Sequence, residues 1–250
     1  MHENSQLYRN KQNERKKIAH SVKIPSRLER IIETYIKEKT GKPVDDPSIR
    51  ERIKQTILAQ KAGYWNKTPH AKYGKGYDVF AYLAYQAPSY IIQFHYLIKK
   101  LDKDGVLPEK LNILDIGTGP GTIPLAVLWH MKEQKRKDVS IDVIEKSDEF
   151  IEAFKYIVPT FASDISLNLN QIIHDDLSSF VPKTLASYTI ITCQNVFAEL
   201  VNYSPLDKMN LLMQYVQFLS DDGLLILVEP AELRHSTELR VLQKELENAG

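Results

Sequence analysis

The sequence predicts an α/β fold, a doubly wound sheet preceded by a helical N-terminal region. Three observations carry that expectation. The apolar run Leu111, Ile113, Leu114 and Ile116 breaks directly into the glycine-rich turn Gly117-Thr118-Gly119-Pro120-Gly121, after which Ile123, Leu125, Ala126 and Leu128 start a helical apolar pattern. Four more short apolar runs follow, at 139–144, 169–174, 188–193 and 224–228, each ending in polar residues. Before residue 78 the apolar spacing is helical instead.

In the N-terminal region, Ser26-Arg27-Leu28-Glu29 after Pro25 has capping-box spacing and predicts a helix over 26–41 with Leu28, Ile32, Tyr35 and Ile36 facing inward. A second helix over 46–63 is expected from Asp46-Pro47 and the i, i+4, i+8 series Ile49, Ile53 and Ile57. Gly63, Pro69, Gly74 and Gly76 mark 61–77 as loop. A helix over 78–101 then leads into the first strand, with Tyr82, Tyr85 and Ser89 on one face, either roofing a pocket or serving packing alone. The chain thus divides into a basic helical region, 1–77, and a sheet domain, 78–250.

The glycine turn is where open α/β sheets bind ligands. A dinucleotide fingerprint places its third glycine five residues after the first, and here that position is Thr122. The glycines fall instead at 117, 119 and 121, with Asp115 two residues before the first and Pro120 inside the loop. This pattern resembles motif I of the class I S-adenosylmethionine (SAM) methyltransferases, whose glycine backbone lies against the methionine end of the cofactor. The resemblance implies a Rossmann-like SAM methyltransferase sheet and marks Asp115, Gly117, Thr118, Gly119 and Gly121 as cofactor-binding candidates.

The second strand ends at Glu145, 28 residues after Gly117, where an acidic side chain can accept both ribose hydroxyls. The third ends in Asp175-Asp176, and the resemblance implies that one of them receives the adenine amino group. Asp176, directly before Leu177, is preferred, while either can instead cap the turn. The fourth strand reaches Gln194-Asn195-Val196-Phe197-Ala198-Glu199-Leu200, which lacks the family's Asn/Asp-Pro-Pro-aromatic and Pro-Cys motifs. Gln194 and Asn195 are the catalytic candidates at the acceptor edge, with Gln194 also near the cofactor. Glu199 reads as a helix-start carboxylate or a general base, and Cys193 as a buried strand end.

A closer resemblance rests on Ala87-Pro88-Ser89-Tyr90, the run from Leu114 to Thr122, Val196 to Leu200, and Leu227-Val228-Glu229-Pro230. Together they look like the methyltransferase-like proteins of the small ribosomal subunit, a family including the mitochondrial assembly factor and its prokaryotic relatives. This implies RNA methyl transfer, or a SAM-binding assembly role without transfer; a small-molecule methyltransferase is the third reading. Ala231 replaces the family's usual glycine, and its cysteine cluster is not present. A complete sheet of this kind has two further strands after the last helix, so the last two strands are expected to be missing and the domain C-terminally incomplete.

Composition bounds these readings. The chain can bury one large core, and no apolar run approaches the ~20 residues that span a bilayer. Cys193 is the only cysteine, which rules out a disulfide framework and a four-cysteine metal site within the chain and fits a reducing, cytoplasmic setting; no metal ligands are expected. The net charge of +1 conceals a division: residues 1–77 hold 18 Lys and Arg against 8 Asp and Glu, while 78–250 hold 15 against 24. The excess is densest at Arg9, Lys11, Arg15, Lys16, Lys17, Lys23, Arg27 and Arg30, followed by Tyr64, Trp65 and Tyr73. Basic side chains followed by stacking rings suit a phosphate-rich, partly single-stranded nucleic acid, and the closer resemblance implies that this partner is ribosomal RNA or the small subunit; a solvated tail is the alternative.

Overall fold

A computed structural model of the chain describes residues 23–65, 76–177 and 187–249. Five strands, β1 (Leu111–Ile116), β2 (Asp138–Glu145), β3 (Ser166–His174), β4 (Tyr188–Gln194) and β5 (Leu219–Val228), form one parallel sheet in the order β3-β2-β1-β4-β5. Strand order reverses beside β1, so a crevice opens beyond the carboxyl ends of β1 and β4. No sixth strand pairs with β5 among the described residues.

Alternation along β1 explains why helices cover both faces. Leu111 and Ile113 join a cluster with α4 (Ala87–Lys103), α5 (Thr122–Gln134) and α6 (Asp148–Phe161), whereas Leu114 and Ile116 meet Leu212 and Tyr215 of α7 (Pro205–Val216) and Leu242 of α8 (Leu233–Ala249). The first cluster continues into Leu28, Ile32, Tyr35 and Ile36 of α1 (Ser26–Thr40) and Ile49 and Ile53 of α2 (Pro47–Trp65). The N-terminal helices therefore extend the core of the sheet. Among the described residues, no helix is long and apolar enough to cross a membrane.

Several boundaries differ from the sequence expectation, each for a physical reason. Ser26 is already helical and makes no side-chain cap; Pro25, at φ −53° and ψ 134°, takes the N-cap position and its carbonyl accepts the first helical bond from Glu29 N at 3.0 Å. The Ser26–Glu29 capping box is thus not formed. A real one closes the start of α7, where Ser204 and Asp207 cap each other across Pro205, a helix that apolar spacing alone did not single out. α2 runs through Gly63 to Trp65, since a lone glycine costs a helix only ~1 kcal/mol. Residues 66–75, the rest of the expected loop, lie outside the described residues, as do Arg9, Lys11, Arg15, Lys16 and Lys17.

β5 starts five residues earlier than expected, because Asp221-Asp222-Gly223 forms a bulge, with Tyr188 opposite Leu219 and Ile190 already opposite Leu224. β3 starts at Ser166 and is irregular where Ile141 pairs with Leu169 and Val143 with Ile172. Asp142 holds that irregularity: Oδ1 accepts from Gln171 N at 2.9 Å and Oδ2 from the Tyr188 hydroxyl at 2.7 Å.

The helix expected over 78–101 is interrupted. α3 (Tyr77–Ala81) passes into a π-helical turn, Tyr82–Gln86, before α4 begins. A π turn takes up one extra residue and slips the helical face accordingly. Tyr85 and Ser89, expected beside Tyr82, are therefore exposed, and Lys61 Nζ lies 4.4 Å over the Tyr85 ring. Tyr90 joins Tyr82 instead, with ring centroids 6.1 Å apart.

Candidate active-site cleft

A cleft of about 510 Å³ lies at the reversal of strand order. Its walls include Gly117 and Gly119 from the turn after β1, Glu145, Lys146 and Ser147 after β2, and Asp175 and Leu177 after β3. Gln194, Asn195, Val196, Glu199 and Leu200 follow β4, with Tyr82, Tyr90 and Phe150 opposite. Tyr82 packs between Tyr90 and Phe150, its centroid 5.1 Å from that of Phe150.

The three turn glycines all have positive φ but serve different ends. A Cβ on Gly121 would stand 2.4 Å from Val158 Cγ2, so this position lets α5 close on α6. A Cβ on Gly117 would stand 2.4 Å from Val196 Cγ2 across the floor of the cleft. At Gly119 the nearest atom is the Tyr82 hydroxyl at 3.9 Å, so this backbone borders open space. Asp115, Thr118 and Gly121, expected to meet the cofactor, sit behind the cleft surface; Asp115 is 0% and Thr118 2% exposed.

The amides of the turn are spent internally. Gly117 N and Thr118 N donate to Ile144 O at 2.9 and 3.1 Å, and Gly121 N donates to Thr118 O at 3.0 Å. Gly119 N donates to Glu145 Oε2 at 2.8 Å, and Pro120 has no N–H. A phosphate-cradling loop needs free, converging amides, and this turn offers none.

Its charge is also of the wrong sign for phosphate. Burial pushes the Asp115 carboxyl up to about 7, with Glu145 adding to the rise and the nearby Thr118 hydroxyl opposing it. Asp115 Oδ1 and Oδ2, Thr118 Oγ1 and Gln194 Oε1 are buried without hydrogen-bond partners among the described residues. Burial also raises Glu145, against the pull of amides from Ser147 at 2.8 Å, Gly119 and Lys146 at 3.0 Å. Those three bonds tie the turn to the start of α6.

After β4 the chain turns sharply. Asn195 takes φ 59°, a left-handed conformation that asparagine tolerates better than most residues, and its N–H donates to Val228 O at 2.8 Å. Glu229, the acid of the Glu229-Pro230 pair, accepts from Phe197 N at 2.9 Å and Ala198 N at 3.0 Å and thereby fixes this turn. Gln194 Nε2 reaches toward Tyr90 O at 3.5 Å.

Two readings of acids need correction. Asp175, not the preferred Asp176, lines the cleft; Asp176 faces Lys146 Nζ at 3.6 Å. Glu199 is not at a helix start, because α7 begins only at Pro205; it lies on the cleft wall, open to solvent. The cleft walls push its carboxyl up to about 7, with Glu145 and Glu229 contributing and Lys146 opposing. Cys193 is buried as expected, and burial pushes its thiol well up. Tyr90 was not picked out as a site residue, because its place depends on the π turn; for Glu199 the favoured helix-start reading fails and the general-base alternative is the one its place on the cleft wall leaves open.

No protein family matches the chain, and no curated protein matches it. Among solved structures it is similar to the plantazolicin methyltransferase BpumL in complex with SAH (18% identity, TM-score 0.42), the alignment covering 72% of this chain and 61% of that one. It is also similar to magnesium protoporphyrin IX methyltransferase (ChlM) from Synechocystis PCC 6803 with bound SAH, at 15% identity and TM-score 0.42, covering 79% and 78%. A third is the mitomycin 7-O-methyltransferase MmcR, at 14% identity and TM-score 0.44, covering 80% and 56%. The chain spans less than two thirds of the first and third of these. Likenesses this loose say nothing about what the chain binds or does.

Proposed function

We propose that the chain is a SAM-dependent methyltransferase acting on a small molecule. The observation that carries this is the glycine turn: an open sheet's ligand crevice whose amides are all engaged and whose surroundings are acidic. Such a site disfavours pyrophosphate and favours a nucleoside ligand that carries positive charge. SAM is such a ligand, and when bound it supplies an electrophilic methyl group on a sulfonium.

Each residue then has a role its position supports. The Gly117 and Gly119 backbone borders the space for the methionine end, and buried Glu145 and, above about pH 7, Asp115 lend it negative potential. Glu145 accepts ribose hydroxyls, and Asp175 the adenine amino group. Gln194 and Asn195 orient the acceptor, since transfer chiefly requires a nucleophile aligned with the methyl group. Glu199, on the cleft wall beside Gln194 and Asn195, takes up the acceptor's proton where one is lost.

The acidic acceptor edge favours a neutral or cationic small acceptor over a polyphosphate. The basic residues between Arg9 and Lys17 favour a second reading, in which small-subunit ribosomal RNA is the substrate or the protein assists assembly without transfer.

Calorimetry with SAM, S-adenosylhomocysteine and NAD tests the cofactor. Binding of the first two is expected, weakened by ~1–3 kcal/mol in Glu145→Ala, as for loss of a charge-assisted acceptor; binding of NAD alone would overturn the reading. Labelled SAM incubated with a metabolite pool, ribosomal RNA or immature small subunits tests the substrate. Label in metabolites is expected. Label in RNA, abolished when Arg9, Lys11, Arg15, Lys16 and Lys17 are changed to glutamine, would establish the second reading instead.

A further inference from the structure

The last turn of α5, at the opposite end of that helix from the glycine turn, carries a group of side chains that the proposed reaction does not use. His95 of α4 stacks on Trp129 with centroids 3.6 Å apart and planes at 6°, and its Nε2 lies 3.2 Å from Glu133 Oε2. His130 is wholly buried, with Nε2 3.0 Å from Asp102 Oδ2. That bond fixes the tautomer, with the proton on Nε2 and a lone pair on Nδ1. Nδ1 has no hydrogen-bond partner among the described residues. Leaving a buried acceptor unsatisfied is costly, and a packing role for His130 does not account for it.

One nitrogen of each imidazole and one Glu133 oxygen lie within 4.8 Å of one another. Two imidazoles and a carboxylate are a donor set that zinc takes, with a fourth position left for water. Ligands sharing a tetrahedral zinc at bonds of ~2.0–2.1 Å stand roughly 3.3 Å apart. His95 Nε2 and Glu133 Oε2 stand at 3.2 Å, close to that spacing, and a nitrogen of His130 lies within 4.8 Å of the other two donors. The Asp102–His130 pair has the form of the outer carboxylate that orients a ligating imidazole.

Lys99 Nζ, 3.3 Å from Glu133 Oε2, competes for that oxygen; its side chain is largely exposed and can swing away.

We propose that His95, His130 and Glu133 bind a divalent metal ion of the zinc type, joining α4 to α5. The test uses the full-length chain without a histidine tag, stripped by chelator and titrated with zinc chloride alone, with cobalt as a spectroscopic stand-in. One equivalent should bind, with tetrahedral cobalt absorption and a higher melting temperature. Glu133→Gln, at an exposed position that should leave the fold intact by circular dichroism, and His95→Gln should each weaken binding about tenfold or more. Lys99→Met should strengthen it by freeing Glu133. Affinity for SAM should stay unchanged in all three variants, which separates this site from the cleft. No stoichiometric zinc, or undiminished zinc in Glu133→Gln and His95→Gln, would overturn the proposal by assigning the imidazoles to structure or the metal to histidines elsewhere.

Discussion

At Gly121 an added methyl group would lie 2.4 Å from Val158 Cγ2 and 3.0 Å from Phe154 Cδ2, at a backbone φ of 94°, while at Gly119 it would meet only the Tyr82 hydroxyl at 3.9 Å. Gly121→Ala should therefore cost about 2–4 kcal/mol of stability in urea denaturation, from overpacking plus left-handed strain. Gly119→Ala should cost about 1–2 kcal/mol from strain and fall harder on cofactor affinity. Asp115 gives a pH signature. Its unfolded carboxyl titrates near 3.9 and its folded one at about 7, so between those values the folded state holds a proton the unfolded chain has lost. That stability is fully present below pH ~4 and is lost as pH rises through 7. Melting temperature should rise as pH falls from 8 to 6, and Asp115→Asn should flatten the rise; equal slopes would refute the assignment. Buried His95, whose pKa is lowered, works in the opposite sense as pH falls through ~6.5. The motif positions were legible because strand, turn and helix are local features. The choice between Asp175 and Asp176, and the place of Glu199, depended on how irregular chain leaves a strand end, which residue spacing does not encode.

Among the elements, β1, β2 and β4 were legible nearly to the residue, because strands buried on both faces read as continuous apolar runs. β3 and β5 were cut short, since Asn168 and Asp221-Asp222-Gly223 look like breakers yet lie within irregular strands. One of those irregularities can be tested directly. Tyr188→Phe removes the 2.7 Å bond to Asp142 Oδ2 beside the β2–β3 shift and should cost about 1.5–3 kcal/mol, as for a hydrogen bond to a charged group. A cost near zero in thermal unfolding would mean that Gln171 N alone holds Asp142. Capping offers a second contrast. Ser204→Ala should cost about 1 kcal/mol, whereas Ser26→Ala should cost almost nothing, because of these two serines Ser204 alone caps its helix.

For the molecule as a whole, the +10 and −9 halves read from the sequence do not correspond to separate cores. Leu28, Ile32 and Ile36 of α1 share one cluster with Phe154 and Ile157 of α6, and Arg27 reaches Asp164 at 3.1 Å and Thr160 O at 3.0 Å. Leu28→Ala should cost about 2–5 kcal/mol and shift one cooperative transition as a whole; a separate early transition would mean that α1 unfolds by itself. Charge was visible along the chain, but shared packing was not, because contacts between α1 and α6 join residues more than a hundred positions apart. The π turn at Tyr82–Gln86 ties the two halves together in another way. It acts as a phase setting: removing a single residue there would restore an unbroken α ladder and swing everything before it by about 100° around the helix axis. Val79 and Phe80 would leave the core and Tyr82 would turn from Gly119, so packing at one end and the cleft at the other would fail at once. The number of residues in this segment is consequently under tighter constraint than their identities.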